Sequence, residues 1–83
     1  MKVKFSNHAK SQMVERKILE QWVLRTLRDP EFIREDKVDF DVKLAFRRIK
    51  EFGDRWLRVA YRQELDARLV VTAFFDREAE NWK

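Results

Sequence analysis

In the N-terminal third of the chain, apolar residues recur at helical spacing after a short extended opening. Residues 2–5 alternate polar and apolar, which predicts a strand, and Ser6 or Asn7 then suits the N-cap of a helix that runs to about Arg16. A second helix is predicted by an apolar stripe at i, i+4, i+5 and i+8, formed by Leu19, Val23, Leu24 and Leu27. Pro30 ends this helix, because the residue before a proline is pushed out of the helical region.

After Pro30 the spacing changes to the period of two that is typical of strands. A strand is predicted to start at residues 32–34, and the acidic residues up to Asp41 are predicted to form a loop or an exposed edge. Three more strands are predicted over residues 42–52, 55–64 and 68–76, joined by a turn at Gly53-Asp54 and another at 65–67. The last seven residues are predicted to form a helical turn or a frayed end. Within them, Trp82 is expected to cover exposed core or to dock on a partner.

This order of elements, β-α-α-β-β-β(-β), predicts an α+β domain with two N-terminal helices on one face of an antiparallel sheet. Alternation in the strand over 55–64 directs Leu57, Val59 and Tyr61 towards the helices. The opposite face is predicted to hold Trp56, Arg58 and Arg62 and, if the register allows, Arg48 and Lys50. We therefore expect a basic sheet face that contains an aromatic ring.

Composition limits the domain and its location. The chain has 83 residues, 45% of them apolar and 41% charged, which gives room for one small domain over residues 1–83. It contains no cysteine, so disulfides, thiolate metal sites and cysteine nucleophiles are excluded. No apolar run approaches the roughly 18 residues of a membrane span, and the N-terminus lacks the apolar stretch of a signal peptide. We expect a cytoplasmic protein that does not contact a membrane.

Charge is unevenly distributed along the chain. The net charge is +4, but residues 29–41 carry six acidic and two basic residues, whereas residues 43–62 carry seven basic and two acidic residues. A compact basic segment is the electrostatic pattern of a protein that binds a phosphate backbone. The same segment also fits a solvated sheet face whose arginines pair with nearby acids. Charge alone leaves both interpretations open.

Few catalytic chemistries fit the residue types present. With one glycine and one histidine, the chain lacks a glycine-rich phosphate loop and a histidine-based metal site, so we expect neither a metal nor a cofactor. His8, Gln12 and Arg16 are spaced to share one helix face. Near the helix N-terminus, His8 is either a proton donor or acceptor at neutral pH or a structural residue.

The arginines point to a chemistry that needs no metal. RNA is cut when its own 2′-hydroxyl attacks the adjacent phosphate, and an enzyme then only orients the groups, stabilises charge and moves protons. Arginine clamps phosphate oxygens but is no base, so the candidates for proton transfer are His8, Lys43, Lys50 and Tyr61. Of these, His8 with Lys50 are assigned the role. The predicted catalytic residues are His8, Lys50 and Arg58. The predicted RNA-binding residues are Arg16, Arg48, Arg62 and Trp56.

Two further interpretations are retained beside cleavage. A non-catalytic RNA- or DNA-binding module would use the same basic face, and it would share the steep salt dependence of phosphate binding. A protein that serves only as an interaction domain would use the acidic segment 29–41 as its docking surface.

Residues 8–18, HAKSQMVERKI, resemble the opening pattern H-A-x-x-R-M-x-E-R-G-I of a small prokaryotic family of unknown function related to the RelE and BrnT toxins of type II toxin–antitoxin systems. LRVAY at 57–61 and VVTAF at 70–74 are similar to the paired strands of that family. The resemblance implies a RelE-like fold, cleavage of mRNA and restraint by a cognate antitoxin protein, with a homodimer left open. The chain departs from the pattern at Gln12, Leu19 and Lys17. The last replaces a glycine, so Lys17 needs a left-handed backbone or a rebuilt turn.

Overall fold

The chain folds into two helices and a five-stranded sheet in the order β-α-α-β-β-β-β, which confirms the predicted α+β class. The computed structural model describes all residues from Met1 to Lys83. The strands are β1 (Val3–Phe5), β2 (Phe32–Glu35), β3 (Val42–Ile49), β4 (Arg55–Gln63) and β5 (Arg68–Phe75), and the helices are α1 (Asn7–Glu15) and α2 (Glu20–Arg28). Short 3₁₀ turns lie at Lys50–Phe52 and Ala79–Trp82. Neither helix has the length and apolar character that crossing a membrane requires.

Helix α1 begins and ends as its sequence predicts. The Ser6 side chain accepts a hydrogen bond from the backbone N–H of Ala9 at 3.0 Å, which is the N-cap interaction. Ala9 and Met13, one turn apart, are buried in the core. Beyond the helix end, Lys17 has a φ of 58°, so it adopts the left-handed conformation expected where a lysine replaces a glycine.

Helix α2 is rotated relative to the predicted stripe. It buries Trp22, Val23, Thr26 and Leu27, whereas Leu19 precedes the helix as its N-cap and is 47% exposed. The rotation follows from Trp22, because burying an indole removes more apolar surface from water than burying a leucine. Thr26 is accommodated in the core because its hydroxyl donates to the Trp22 carbonyl at 2.8 Å.

The sheet has the strand order β1-β5-β4-β3-β2. Strands β3, β4 and β5 form the predicted antiparallel meander, and Gly53 and Asp54 turn between β3 and β4 with φ values of 67° and 58°. Strand β3 ends at Ile49, earlier than predicted, because the chain enters a 3₁₀ turn there. Strand β1 is not antiparallel to its neighbour, because it pairs in parallel with β5. The two helices and strands β2, β3 and β4 lie between β1 and β5 in the chain.

Apolar side chains fill both faces of the sheet. The inner core lies between the helices and the sheet and includes Val23, Leu27, Val59 and Val70. On the opposite face, here called the outer face, a second and smaller outer core includes Leu44, Phe46, Trp56 and Ala60. Ala79 and the half-buried Trp82 of the C-terminal tail pack against this outer core. The prediction that Trp82 covers core is therefore confirmed.

Helix α1 and its C-cap close the edge of β5 that β1 leaves unpaired. β1 pairs with β5 only along Arg68–Val70. Beyond that point, the Arg16 guanidinium donates to the Ala73 carbonyl at 3.1 Å, and the Thr72 hydroxyl donates to the Gln12 side chain. These bonds occupy an edge that would otherwise be open to other chains. They also hold Arg16 at the end of β5.

Candidate nucleic-acid interface

The outer face holds most of the basic residues predicted to bind RNA. The register places Arg48 opposite Trp56, and alternation along β4 adds Arg58 and Arg62 to the same face. Lys50 does not join them, because β3 ends before it and Lys50 begins the 3₁₀ turn. The face is also not an open basic surface as predicted, since the outer core and the tail occupy its centre.

One of the four outer-face arginines, Arg34, donates to the Trp82 carbonyl at 2.7 Å and lies over the Phe32 ring. The other three are each paired with a carboxylate. The nitrogen–oxygen distances are 3.0 Å for Arg48–Glu31, 3.3 Å for Arg58–Asp76 and 2.6 Å for Arg62–Asp39. Partial burial alone would raise the pKa of Glu31, but hydrogen bonds from the backbone and side chain of Arg48 outweigh it and lower that pKa. A phosphate at any of these arginines would compete with a carboxylate already in place.

Arg58 and Trp56 are part of the packing of this face. The Arg58 side chain is 19% exposed, and its guanidinium lies 5.0 Å from the ring centre of Phe74 and 4.9 Å from that of Trp82. Trp56 is buried, and its indole N–H donates to the Glu80 carboxylate at 3.1 Å. The ring predicted to stack a base therefore packs in the outer core, where the tail holds it.

His8 and Lys50, the predicted proton-transfer residues, lie at different ends of the sheet. His8 is exposed in the first turn of α1, two residues after Ser6. The Ser6 backbone N–H donates to the Val70 carbonyl of β5, and Val70 pairs with Tyr61 of β4. Lys50 follows the end of β3, level with Arg55. Tyr61 and Arg55 are about 20 Å apart along β4, at about 3.3 Å per residue. The two predicted residues therefore do not form one site.

Lys50 lies instead at an open polar pocket of about 520 Å³. The lining residues are Arg25, Glu31, Arg47, Arg48, Lys50, Glu51 and Asp54. The Arg25 guanidinium donates to both Glu51 oxygens, at 2.9 and 2.8 Å, and these bonds lower the pKa of Glu51 to about 2. This pair links α2 to the 3₁₀ turn at Lys50–Phe52, which carries Phe52.

A second group of arginines lies where β4 begins and β5 ends. The Arg16 guanidinium is 5.7 Å from the ring centre of Phe74, and that of Arg55 is 5.2 Å from the ring centres of both Phe52 and Phe75. These five residues line an open pocket of about 330 Å³. Together with Arg77, they form what we call the arginine–aromatic surface, which consists of Arg16, Phe52, Arg55, Phe74, Phe75 and Arg77.

Arg77 extends this surface beyond the end of β5. Leu57 pairs with Phe75, so antiparallel pairing brings Arg55 and Arg77 to the same end of the two strands. Both line a pocket of about 240 Å³ together with Asp76. No ion pair of the molecule includes Arg16, Arg55 or Arg77.

Local sequence accounts for this arrangement. The left-handed turn at Gly53 and Asp54 starts β4 at Arg55, immediately after the 3₁₀ turn that carries Phe52. The rings of Phe52 and Phe75 stack with their centres 4.6 Å apart, which gives the Arg55 guanidinium a flat support. The site therefore depends on one tight turn and on the end of one strand.

Among the residues of this surface, only Arg16 is predicted from the sequence to bind RNA. Arg55 and Arg77 are not predicted; they stand at the first position of β4 and two positions after the end of β5. The signal was present in the predicted hairpin, because antiparallel strands place the start of one beside the end of the next. Of the predicted catalytic residues, Arg58 borders the surface through the Phe74 ring.

The profile of the domain of unknown function DUF4258 matches residues 5–75, so the chain belongs to this family. No curated protein and no solved structure matches the chain. Membership of a family of unknown function, expected from the opening motif, is thereby confirmed, and the relation to RelE and BrnT toxins stays a prediction. The matched range includes Arg16 and Arg55 and ends before Arg77.

Proposed function

We propose that this member of the DUF4258 family binds single-stranded RNA on the arginine–aromatic surface. The observation that carries the proposal is that the guanidinium groups of Arg16 and Arg55 are supported by aromatic rings and have no carboxylate partner. A guanidinium held over a ring keeps N–H donors for a phosphate oxygen, and the planar fork suits bidentate contact. Such groups bind phosphate without first losing an ion pair.

Single-stranded RNA fits this surface better than a duplex does. Unpaired bases stack on aromatic side chains and on arginine planes, whereas the base faces of a duplex are already stacked. Arg16, Arg55 and Arg77 come from the C-cap of α1, the start of β4 and the segment after β5, so they spread positive charge over several positions for a backbone to follow. The net charge of +4 adds a sequence-independent attraction.

Fluorescence anisotropy with a labelled, unstructured RNA of about 12 nucleotides tests this proposal. Arg55→Ala and Arg77→Ala are each expected to weaken binding by about five- to tenfold, the loss of one charge-assisted contact. Arg62→Ala is the matched control: Arg62 is also an arginine of β4, but it is paired with Asp39. It should change the affinity less than about twofold.

Equal losses in the Arg55 and Arg62 variants would overturn the proposal, as would an affinity that none of the variants changes. Arg58→Ala is unsuitable as the main test. Arg58 is packed between two rings and paired with a mostly buried Asp76, so its removal also disturbs the fold. Circular dichroism of each variant shows whether the folded state is retained.

Cleavage of the bound RNA is the second candidate, favoured by the position of Asp76. Its carboxylate lines the pocket formed by Arg55 and Arg77, and it lies 3.3 Å from the Arg58 guanidinium. A base there takes the proton of a 2′-hydroxyl, whose oxygen attacks the adjacent phosphorus. The P–O5′ bond breaks, leaving a 2′,3′-cyclic phosphate and a 5′-oxygen that takes a proton from water. The arginines would stabilise the charge that develops on the phosphate.

Acting on mRNA, this activity would make the chain the toxin of a type II toxin–antitoxin pair, the role implied by the resemblance of its opening motif. The test follows labelled mRNA in a translating extract and, separately, free RNA in buffer containing EDTA. Discrete cuts with 5′-hydroxyl ends are expected from the wild type, and Asp76→Asn should bind RNA without cutting it. Intact RNA in the presence of a folded, RNA-binding wild-type protein would reject cleavage and leave the binding function.

A further inference from the structure

An apolar groove runs between α1, α2 and β1, and it shares no lining residue with the arginine–aromatic surface. It consists of two joined pockets of about 330 and 470 Å³, which share Phe5 and Glu20 as lining residues. The apolar residues that define it, here called the helix groove, are Met1, Val3, Phe5, Val14, Leu19 and Leu24.

Several side chains of the helix groove face solvent without a role in the fold. Val14 is 81% exposed, Leu19 is 47% exposed and Met1 is 67% exposed. Val14 and Leu19 flank the turn between the helices and line the same pocket, so they form one patch rather than scattered surface residues. A contiguous apolar patch on a small protein is typical of an interaction site.

The charges at the helix groove indicate what kind of partner it fits. Lys10 lines one of the joined pockets and Arg28 lines the other, and neither has a carboxylate partner in any ion pair of the molecule. Glu20 is the one acidic residue of the lining. A second copy of this chain would bring a net charge of +4 against these cations, whereas an acidic partner would neutralise them.

We propose that the helix groove binds an amphipathic helix of a partner protein, with an apolar ridge flanked by acidic residues. A groove between two helices accepts a third helix along its apolar face, with anchors at i, i+4 and i+7. The leucine ridge of such a helix would cover Val14, Leu19 and Leu24, and its acidic flanks would meet Lys10 and Arg28. This inference does not depend on RNA binding, because it uses none of the residues of the arginine–aromatic surface.

The probe is a labelled helical peptide of about 18 residues, or about 27 Å of helix, with a leucine ridge and glutamates on both flanks. A second peptide carries lysines in place of the glutamates. We expect the acidic peptide to bind the intact protein at least about tenfold more tightly than the basic one at low salt. Lys10→Glu with Arg28→Glu should reverse that preference.

Val14→Glu is expected to weaken the acidic peptide by about tenfold, since it places a carboxylate in the apolar contact. Val38→Glu is the matched control, because Val38 is 92% exposed and lies outside the groove. RNA binding by the Val14 variant should stay unchanged, which separates this test from that of the proposed function. Failure of both peptides to bind, or equal losses in the Val14 and Val38 variants, would overturn the proposal. A concentration-dependent dimer that Val14→Glu abolishes would assign the groove to a second copy and overturn it as well.

Discussion

Two groups of arginines on one small sheet differ in what holds their guanidinium groups. On the outer face, Arg48, Arg58 and Arg62 are each paired with a carboxylate. Where β4 begins and β5 ends, Arg16 and Arg55 lie over aromatic rings and have no carboxylate partner. Each of these arginines carries the same single charge, but only the charges of the second group are not already neutralised by a carboxylate. The number of arginines in a segment is therefore a poor measure of its capacity to bind phosphate.

The difference arises from where the acidic segment 29–41 folds. Glu31 and Asp39 of this segment reach Arg48 and Arg62, and Glu35 reaches Lys43. The net negative segment is thus folded against the net positive strands. The arginines of β3 and β4 on the predicted basic face are therefore ion-paired, as one of its two interpretations expected, and the unpaired Arg16 and Arg55 lie where β4 begins and β5 ends.

The largest expected effect concerns stability, and it separates two arginines within the paired group. The Arg58–Asp76 pair has side chains that are 19% and 10% exposed, whereas those of Arg62–Asp39 are 42% and 41% exposed. Arg58→Ala should lower the free energy of unfolding by about 3 kcal/mol, because the mostly buried Asp76 loses its ion-pair partner and keeps only the hydrogen bond from the Glu78 backbone N–H. Arg62→Ala should lower it by at most about 1 kcal/mol. Urea unfolding measures the stability of both variants, and equal losses would mean that burial of an ion pair does not change its contribution in this protein.

The comparison is sharpened by the salt dependence of RNA binding. Each phosphate contact to a single strand contributes about −0.7 to the slope of log affinity against log salt concentration. Arg55→Ala should reduce that slope by about 0.7, and Arg48→Ala should leave it unchanged because Arg48 is held by Glu31. Anisotropy titrations between about 50 and 200 mM salt give the slopes. A smaller slope in the Arg48 variant alone would mean that the phosphate contacts lie on the outer face.

A smaller effect is expected when a paired arginine is released. Asp39→Asn removes the negative charge from the partner of Arg62, so the affinity for RNA should rise by about twofold. Asp66→Asn is the control for net charge alone, since Asp66 lies in the turn between β4 and β5, where its ion-pair partner is Lys2 at 3.9 Å and not an arginine. If the two variants bind RNA equally well, release of Arg62 contributes nothing beyond net charge.

Local sequence predicted the elements better than it predicted the site. Ser6 and the Gly53-Asp54 turn mark element boundaries through side chains and backbone angles that are visible in the sequence. The parallel pairing of β1 with β5 was not predictable, because it joins segments more than sixty residues apart and leaves no local pattern. Alternation placed Trp56 on the correct face, but it carries no information about the tail that covers that face. The pairing of Arg58 with Asp76 was not predictable either, because it depends on how β4 and β5 are aligned.

The smallest expected effect is a pH dependence of the free energy of unfolding. It comes from the Arg25–Glu51 pair beside Phe52 and not from either arginine group. Hydrogen bonds from Arg25 lower the pKa of Glu51 to about 2 from an ordinary value of 4.5, so the carboxylate binds protons less readily in the folded chain than in the unfolded one. Its contribution to stability is therefore complete above pH 4.5 and is lost as the pH falls towards 2. Urea unfolding across this range should show a shallower decline for Glu51→Gln than for the wild type. Because both side chains are solvent-exposed, the difference should be small and should shrink further in high salt. Parallel declines in the two proteins would mean that Arg25 does not hold Glu51 in solution, and that the 3₁₀ turn carrying Phe52 is positioned by its apolar contacts alone.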